Sequence, residues 1–154
     1  LVADQSIAQS YRRINQWVVD ALRQIGVPAD HQPLNDIATS LGKIAGSAQK
    51  RTAAGAVLHH MMLAYRINGQ QMRSLLRVGQ AKLASRGVKS ADRRVDPVSN
   101  HTSLDRLAIV DHLIDQFTSR YQTNPSALNS EEIALADQLV GDKFGSGDWL
   151  GRVP

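Results

Sequence analysis

The sequence predicts an α+β fold in which a mixed β-sheet is flanked by helices. Apolar residues recur at spacings of three and four near the start of the chain and again in its last third, which is the period of an amphipathic helix. Between these stretches lie short apolar runs bounded by glycine and other turn residues, as is typical of strands. The 154 residues, 42% of them hydrophobic, suffice for the core of one domain.

The first predicted element is a helix from Ile7 to Ile25. Its apolar stripe consists of Ile7, Tyr11, Ile14, Val18, Ala21, Leu22 and Ile25. Ser6 can cap the start of this helix, and Gly26 with Pro28 can end it. The spacing therefore predicts one helix with a single buried face.

Three strands are predicted after this helix. Leu34–Thr39 and Lys43–Lys50 form a hairpin joined at Ser40–Gly42, with Lys43 at the exit of the turn. The run Ala56–Ile67 is apolar at both alternating positions apart from two histidines and one arginine, which predicts a strand covered on both faces. This arrangement places Lys43 beside the middle of a sheet.

The rest of the chain predicts helices and one long loop. Gln70–Val78 is predicted as a short helix, whereas Ala81–Asn100 lacks a sustained period and carries several basic residues, as is typical of a solvated loop. Leu104–Tyr121 predicts an amphipathic helix capped by Ser103. Asn129–Glu132 has the spacing of a capping box and predicts the start of a last helix.

Composition restricts the function. The chain has no cysteine, which removes thiol nucleophiles and disulfides and favours a cytoplasmic protein. No apolar run approaches the roughly 20 residues of a membrane helix, and the sequence predicts no membrane association. The net charge is +4, but the basic residues are scattered and aromatic residues make up only 5%, so nucleic-acid binding is not expected. A basic surface instead suits an acidic partner domain.

The strongest functional candidate is a lysine among small residues. Lys43 lies in the segment Gly42-Lys43-Ile44-Ala45-Gly46-Ser47-Ala48-Gln49. Its small neighbours leave little bulk between the ammonium and a ligand, so it can offer a compact positive charge to an acyl-phosphate. The alternative for such a residue is an exposed hairpin lysine without a function.

This segment resembles the G-[RK]-K-[IVF]-[SA]-G-S-A-Q motif of the lipoate-protein ligases, in the biotin and lipoate ligase superfamily. Further blocks resemble the family in the same order along the chain: Tyr11–Asn15 its helix start, Leu34–Ile37 its R-N-D-L strand, Leu58–Met61 its L-H-H-G strand, and Lys82–Ser90 with Arg94-Val95 its K-L-x-x-K-G-[IV]-x-S-V-x-x-R-V loop. Gly147–Pro154 resembles the ending of the family's catalytic domain. The resemblance implies that residues 1–154 are the C-terminal portion of that domain, without an accessory domain.

The family's N-terminal R-R-x-G-G-G segment has no counterpart here. The resemblance therefore implies a truncated or cleaved product or one subunit of a split ligase, with the missing segment on a possible second chain. It implies an enzyme that activates lipoate with ATP and Mg²⁺ to lipoyl-adenylate. The lipoyl group would then pass to a lysine of an acceptor lipoyl domain, in a 2-oxoacid dehydrogenase E2 component or the glycine cleavage H protein.

The resemblance also assigns roles to residues. Lys43 would be the catalytic cation, and Asp36 would help to hold Mg²⁺. The adenylate and lipoyl contacts would come from Asn35, Gly46, Ser47, Ala48, His60, Lys89, Ser90 and Arg94. Without the resemblance, Asn35 and Asp36 would be ordinary turn or edge residues, and His60 could be a buried histidine bonded to a carbonyl. His59 and His60 alternate along one strand and point to opposite faces, so no zinc site is predicted.

Two other functions remain open from the sequence. Because the R-R-x-G-G-G block is absent, the chain could be a non-catalytic module that binds lipoate or lipoyl-adenylate. A transferase that works through a cysteine thioester is disfavoured, because the chain has no thiol.

Overall fold

The computed structural model describes residues 5–67 and 95–152. The chain divides into two compact units, the first ending at Tyr121 and the second beginning at Gln122. Within the described ranges, no helix is long and apolar enough to cross a membrane. The predicted helix Gln70–Val78 and most of the predicted loop Ala81–Asn100 lie outside the described residues.

The first helix, α1, spans Ile7–Gln24 and confirms the prediction. Ser6 and Gln9 form a reciprocal capping box, in which each side chain accepts a hydrogen bond from the backbone N–H of the other residue. Gly26 follows the helix with φ +86°, a conformation that glycine adopts without a steric penalty. The predicted start and end signals therefore both operate.

The sheet has four antiparallel strands in sequence order. They are β1 (Asp30–Gln32), β2 (Asp36–Ala38), β3 (Lys43–Arg51) and β4 (Val57–Leu63). The predicted hairpin corresponds to β2 and β3, while β1 was not predicted because three residues are too short to show a period. The α+β class is confirmed. Among the described residues, parallel pairing is limited to an isolated bridge between Lys43 and Val95.

Helix α1 covers one face of the sheet. The core between them is formed by Val18, Val19, Leu22, Val27, Ala29, Ile37, Ile44, Ala45, Val98 and Ile109. The helix α2, Arg106–Tyr121, packs against α1, and its His112 Nε2 donates to the Ala21 carbonyl at 2.9 Å. The predicted Ser103 cap was wrong, because the Asp105 carboxylate accepts from the Ala108 N–H at 2.8 Å.

Strand β4 corrects a second prediction. Its burial alternates, with Val57, His59, Met61 and Leu63 half-buried and Leu58, His60 and Met62 exposed. Leu58 is 69% exposed and Met62 is 73% exposed, so the prediction of a strand covered on both faces was wrong. Sequence alone shows that both faces are apolar, whereas burial also requires a second layer of structure.

The second unit contains the last predicted helix, α3, at Ser130–Leu139. Asn129 and Glu132 form the predicted capping box at its start. The chain continues through a π-type turn at Val140–Phe144 to a short helix, α4, at Gly147–Leu150. The ring of Trp149 meets that of Phe144 edge to face at 5.1 Å.

Candidate functional site

Lys43 is the first residue of β3 and forms an ion pair with Asp36. Its Nζ lies 2.7 Å from Asp36 Oδ1, and the two side chains are 29% and 5% exposed. A buried carboxylate thus holds the ammonium, while one side of the lysine stays open to solvent. This geometry does not fit the alternative of an unconstrained hairpin lysine.

A β-bulge determines where Lys43 points. Asp36 pairs with Gly46 and Ile37 pairs with Ala45, but Ala38 pairs with Lys43, so Ile44 is an extra residue in β3. Side chains alternate between the faces of a strand, and one extra residue reverses the face for everything beyond it. The bulge therefore moves Lys43 from the helix-covered face to the face that carries Asp36 and Gly46.

Gly46 provides the space for the ammonium. A Cβ atom added at this position would lie 2.7 Å from Lys43 Nζ and 3.0 Å from Lys43 Cε. It would also lie 3.6 Å from Asp36 Oδ1. The glycine thus lets the lysine lie close to the strand backbone while it contacts Asp36.

Gly46→Ala is expected to displace the Lys43 ammonium while leaving the fold intact, because the flexible end of the lysine can move away from the new methyl group. A displacement of this size can cost up to about 100-fold in rate. The measurement is lipoyl transfer by the complete ligase, together with a thermal melt. Gly147→Ala is the matched control, because an added Cβ there meets nothing within 4 Å. Unchanged transfer by Gly46→Ala would contradict this role.

The face of the sheet opposite α1, here called the open face, carries Gly46, Ala48, Lys50, Leu58, His60 and Met62. Gly46 pairs with Met62 and Ala48 pairs with His60, which places each pair side by side on this face. The two small residues form a floor between apolar side chains, with the Lys43–Asp36 pair at one end. His60 is exposed here, so it is not a buried histidine bonded to a carbonyl.

His59 lies on the opposite face, as predicted. Its Nδ1 lies 3.0 Å from Gln49 Nε2, and its ring meets Tyr11 edge to face at 5.9 Å. Burial lowers the pKa of His59, and the neighbouring charge of His60 lowers it further. This histidine therefore belongs to the contact between the sheet and α1.

Ser47 and Asn35 tie the elements together. The Ser47 hydroxyl donates to Asn15 Oδ1 at 3.0 Å on the helix-covered face. The Asn35 side chain donates to the Ser47 carbonyl, and the Ser47 N–H donates to the Asn35 carbonyl at 2.9 Å. A ligand contact by the Ser47 hydroxyl on the open face does not agree with this placement, because the hydroxyl points away from Lys43.

Asp36 was predicted to help hold Mg²⁺, and that assignment stays a prediction. In the described ranges, no group of three or more His, Cys, Asp or Glu residues could hold a metal ion. The Oδ1 atom of Asp36 already contacts the Lys43 ammonium. One buried carboxylate that faces a positive charge does not by itself fit a magnesium site, so we assign no step to an ion at Asp36.

The predicted contacts Lys89, Ser90 and Arg94 lie outside the described residues. The next residue, Val95, forms the isolated bridge with Lys43, so the chain returns to the described structure directly beside the candidate catalytic lysine.

Sequence reasoning missed Asp96, which is only 3% exposed. It accepts hydrogen bonds from the Thr39 hydroxyl, from Asn100 Nδ2 at 2.9 Å and from His101 Nε2 at 2.6 Å. Burial raises the pKa of Asp96, but these three hydrogen bonds and the His101 charge outweigh it and lower the pKa. Asp96-Pro97, with Asn100 three residues further on, indicates a turn at most, so no sequence signal could have identified this cluster.

The fold and the lysine pair define the chain as an α+β domain that presents a fixed cation on the open face of an antiparallel sheet. The chain belongs to the lipoyl protein ligase A/B catalytic domain family, whose model matches residues 2–118.

Individual relatives agree with this family. The lipoate-protein ligase A of Psychrobacter cryohalolentis is 31% identical over 148 residues, which cover 89% of this chain and 43% of the relative. A bi-partite lipoate protein ligase from Thermoplasma acidophilum, from a structural analysis of that ligase and its E2 lipoyl domain, superposes with a TM-score of 0.75 and 25% identity over 95% of this chain and 58% of its own. A lipoate-protein ligase A bound with ATP has the same fold, with a TM-score of 0.73 and 22% identity over 95% and 60% of the two chains. The chain thus spans between two fifths and three fifths of these proteins.

Proposed function

We propose that this chain is the lysine-bearing part of a lipoate-protein ligase, which makes lipoyl-adenylate from lipoate and ATP and transfers the lipoyl group to an acceptor lysine. The observation that carries the proposal is the Lys43 ammonium, held 2.7 Å from a buried carboxylate on an open sheet face. Membership of the family supports the choice of lipoate. The ATP-bound neighbour supports ATP as the second substrate.

Both steps develop negative charge near one point. In the first, a lipoate carboxylate oxygen attacks the α-phosphorus of ATP, and pyrophosphate leaves with the electron pair of the broken P–O bond. In the second, the neutral amine of the acceptor lysine attacks the acyl carbon, and AMP leaves while the amine loses a proton. Lys43 stabilises the charge on the phosphate and carbonyl oxygens at the junction, because a preorganised cation needs little reorganisation during the reaction.

The open face provides a surface for the mixed anhydride. Gly46 and Ala48 allow an extended molecule to lie close to the sheet, and Leu58 and Met62 offer apolar contact for the acyl chain. His60 stands in the same row and would support the wall of the pocket. Asn35 would act mainly by holding the strand that carries Asp36, since its side chain donates to Ser47.

The acceptor would be the lipoyl domain of a 2-oxoacid dehydrogenase E2 component or the glycine cleavage H protein. The Thermoplasma ligase, from a structural analysis of that ligase and its E2 lipoyl domain, supports this choice. That ligase is bi-partite, which also supports a second polypeptide that carries the R-R-x-G-G-G segment. We place Mg²⁺ with the phosphates of ATP, which are its usual ligands in such sites. The cytoplasmic location of the protein stays a prediction.

Residues Gly87–Val95 are proposed to cover the nucleotide, with Lys89, Ser90 and Arg94 available to phosphate or ribose. Bound lipoyl-adenylate is therefore expected to slow tryptic cleavage after Lys89 and Arg94, because contacts to a ligand reduce access to the backbone. Mass spectrometry of the fragments measures the rate at each site. Cleavage after the exposed Lys143, which lies outside the sheet, is the internal control, and equal protection at both places would contradict the proposal.

The competing function is binding of lipoate or lipoyl-adenylate without catalysis. The two are separated by single-turnover experiments on the complete ligase with lipoate, ATP and an acceptor domain. Release of pyrophosphate and transfer of the lipoyl group, both reduced by a change at Lys43, support the ligase. Tight binding of lipoyl-adenylate without either product would support the binding module instead.

A further inference from the structure

Asp96 is buried but has no part in the proposed reaction. Among the described residues, it and Asp36 are the two buried carboxylates, and Asp36 is already paired with Lys43. The Asp96 carboxylate accepts hydrogen bonds from three side chains: Thr39, which precedes Lys43, and Asn100 and His101, which follow Asp96. A buried carboxylate with this many donors is rigidly oriented, because any other orientation would leave a charge without a partner.

The contacts of Asp96 lead to both ends of the turn before β3. Its backbone N–H donates to the Lys43 carbonyl at 2.9 Å, and its carboxylate accepts from the Thr39 hydroxyl. The turn itself is closed by the Thr39 N–H, which donates to the Gly42 carbonyl at 2.8 Å. The Thr39 hydroxyl also accepts from the Leu41 N–H at 3.0 Å. Asp96 therefore holds Thr39, the residue directly after β2, together with Lys43, the first residue of β3.

We infer that Asp96 is a positioning residue for Lys43. The bulge at Ile44 comes directly after Lys43, and the face on which the lysine lies depends on that extra residue staying in place. If the start of β3 slips, the lysine leaves the face that carries Asp36. Asp96 opposes the slip through its hydrogen bonds with the Thr39 hydroxyl and the Lys43 carbonyl. Only its consequence for catalysis rests on the proposed function.

Asn100 and His101 fix the orientation of the Asp96 carboxylate. They donate to the carboxylate from the end of the 3-10 turn Val98–Asn100, of which Asn100 is the last residue and His101 the C-cap. The N–H of Val98 donates to the Ala64 carbonyl at 2.9 Å, which fixes this turn to the end of β4. The Asp96 carboxylate is thus fixed by the segment Val98–His101 and in turn holds Thr39.

The test is the reactivity of Lys43 toward a trace amount of acetic anhydride, measured by mass spectrometry on the full chain. An amine that is paired with a carboxylate reacts slowly, since it must first leave its partner. Lys50 is exposed on the same strand and serves as the internal reference. In Asp96→Asn and in Thr39→Val, the ratio of Lys43 to Lys50 modification is expected to rise about fivefold, the population change that one hydrogen bond of ordinary net strength controls.

Thr52→Val is the matched control. Thr52 lies in the turn at the other end of β3, where its hydroxyl accepts from the Ala56 N–H at 3.1 Å. This variant loses a turn hydrogen bond of the same kind, but the Lys43 to Lys50 ratio should not change. If Asp96→Asn fails to fold, Thr39→Val carries the test. It replaces one hydroxyl with a methyl group and leaves the Asp96 carboxylate with two hydrogen-bond donors, Asn100 and His101. A Thr39→Val ratio equal to that of the Thr52→Val control overturns the inference.

A second readout connects the position of Lys43 to catalysis. In the complete ligase, Thr39→Val is expected to lower kcat while the KM for lipoate stays near that of the unchanged enzyme, with a loss of up to about 100-fold for a displaced catalytic group. The labelling experiment needs no enzymatic activity, so it still tests Asp96 if the proposed function fails. Altered labelling with unchanged kcat would leave Asp96 as a positioning residue and remove Lys43 from the reaction.

Discussion

Lys43→Ala is expected to abolish lipoyl transfer by the complete ligase. Removing one preorganised group that stabilises developing negative charge typically costs about 100- to 1000-fold in kcat, or roughly 3–4 kcal/mol at the transition state. Asp36 positions the lysine before any substrate binds, so the ammonium does not have to be ordered during the reaction. Transfer is measured as the mass increase of an acceptor domain, and pyrophosphate release reports the first step separately.

This substitution also leaves Asp36 buried without its partner. Asp36 is 5% exposed, and breaking a pair of this kind costs up to about 3 kcal/mol when one member stays partly open to water. A lowered Tm is therefore expected alongside the lost activity. Lys43→Arg separates the two effects: it keeps a positive charge beside Asp36 and should retain the Tm. Its planar guanidinium spreads the charge over a fork of donors instead of a single point and should not restore transfer.

Lys143→Ala is the matched control for both variants, because Lys143 is an exposed lysine outside the sheet. It should transfer lipoyl groups at the rate of the unchanged enzyme. Substantial transfer by Lys43→Ala, with the Lys143→Ala rate unchanged, would remove Lys43 from the reaction.

The isolated chain is expected to show no ATP-dependent activation of lipoate. Lys43 supplies a cation, and the open face supplies apolar contact through Leu58 and Met62. The 154 residues contain no R-R-x-G-G-G segment, which we expect to bring arginines and glycine-rich backbone donors to the phosphates. A site without that segment would be more open to water, and the higher effective dielectric constant would weaken every electrostatic contact in it.

Pyrophosphate exchange with lipoate, ATP and Mg²⁺ measures this activity directly. The chain alone should give no exchange above the level without lipoate, and a polypeptide with the R-R-x-G-G-G segment should restore it. The control is the same polypeptide with both arginines changed to alanine, which tests whether the arginines, and not only the presence of a second polypeptide, restore the exchange. Exchange by the isolated chain at the rate of an intact ligase would show that the segment is dispensable.

Much of the candidate site is visible in the sequence because its residues are neighbours in the chain. Lys43, Gly46 and Ala48 lie in one segment of small residues, and the structure brings all three to one face with His60. Ser47 belongs to the same segment, but its hydroxyl bonds to Asn15 on the other face. A motif match cannot separate these two groups, since it records the order of residues and not the direction of each side chain.

The sequence by itself determined the elements that depend on local interactions. The capping boxes at Ser6 and Asn129, the helix end at Gly26 and the hairpin before Lys43 each involve residues within a few positions of one another. Hydrogen bonds and backbone preferences over such short distances act in much the same way in any fold. These features could therefore be predicted without knowledge of the rest of the chain.

Only the tertiary structure decided where Lys43 points and what holds it there. Strict alternation from Ser47 would place the lysine under helix α1, and pairing with β2 introduces the bulge that reverses it. Thr39 and Asp96 are 57 positions apart, so their hydrogen bond exists only after the chain has folded. The exposure of Leu58 and Met62 likewise depends on which layers surround the sheet. Register, bulges and burial follow from contacts between distant segments, and no local pattern of residues specifies them.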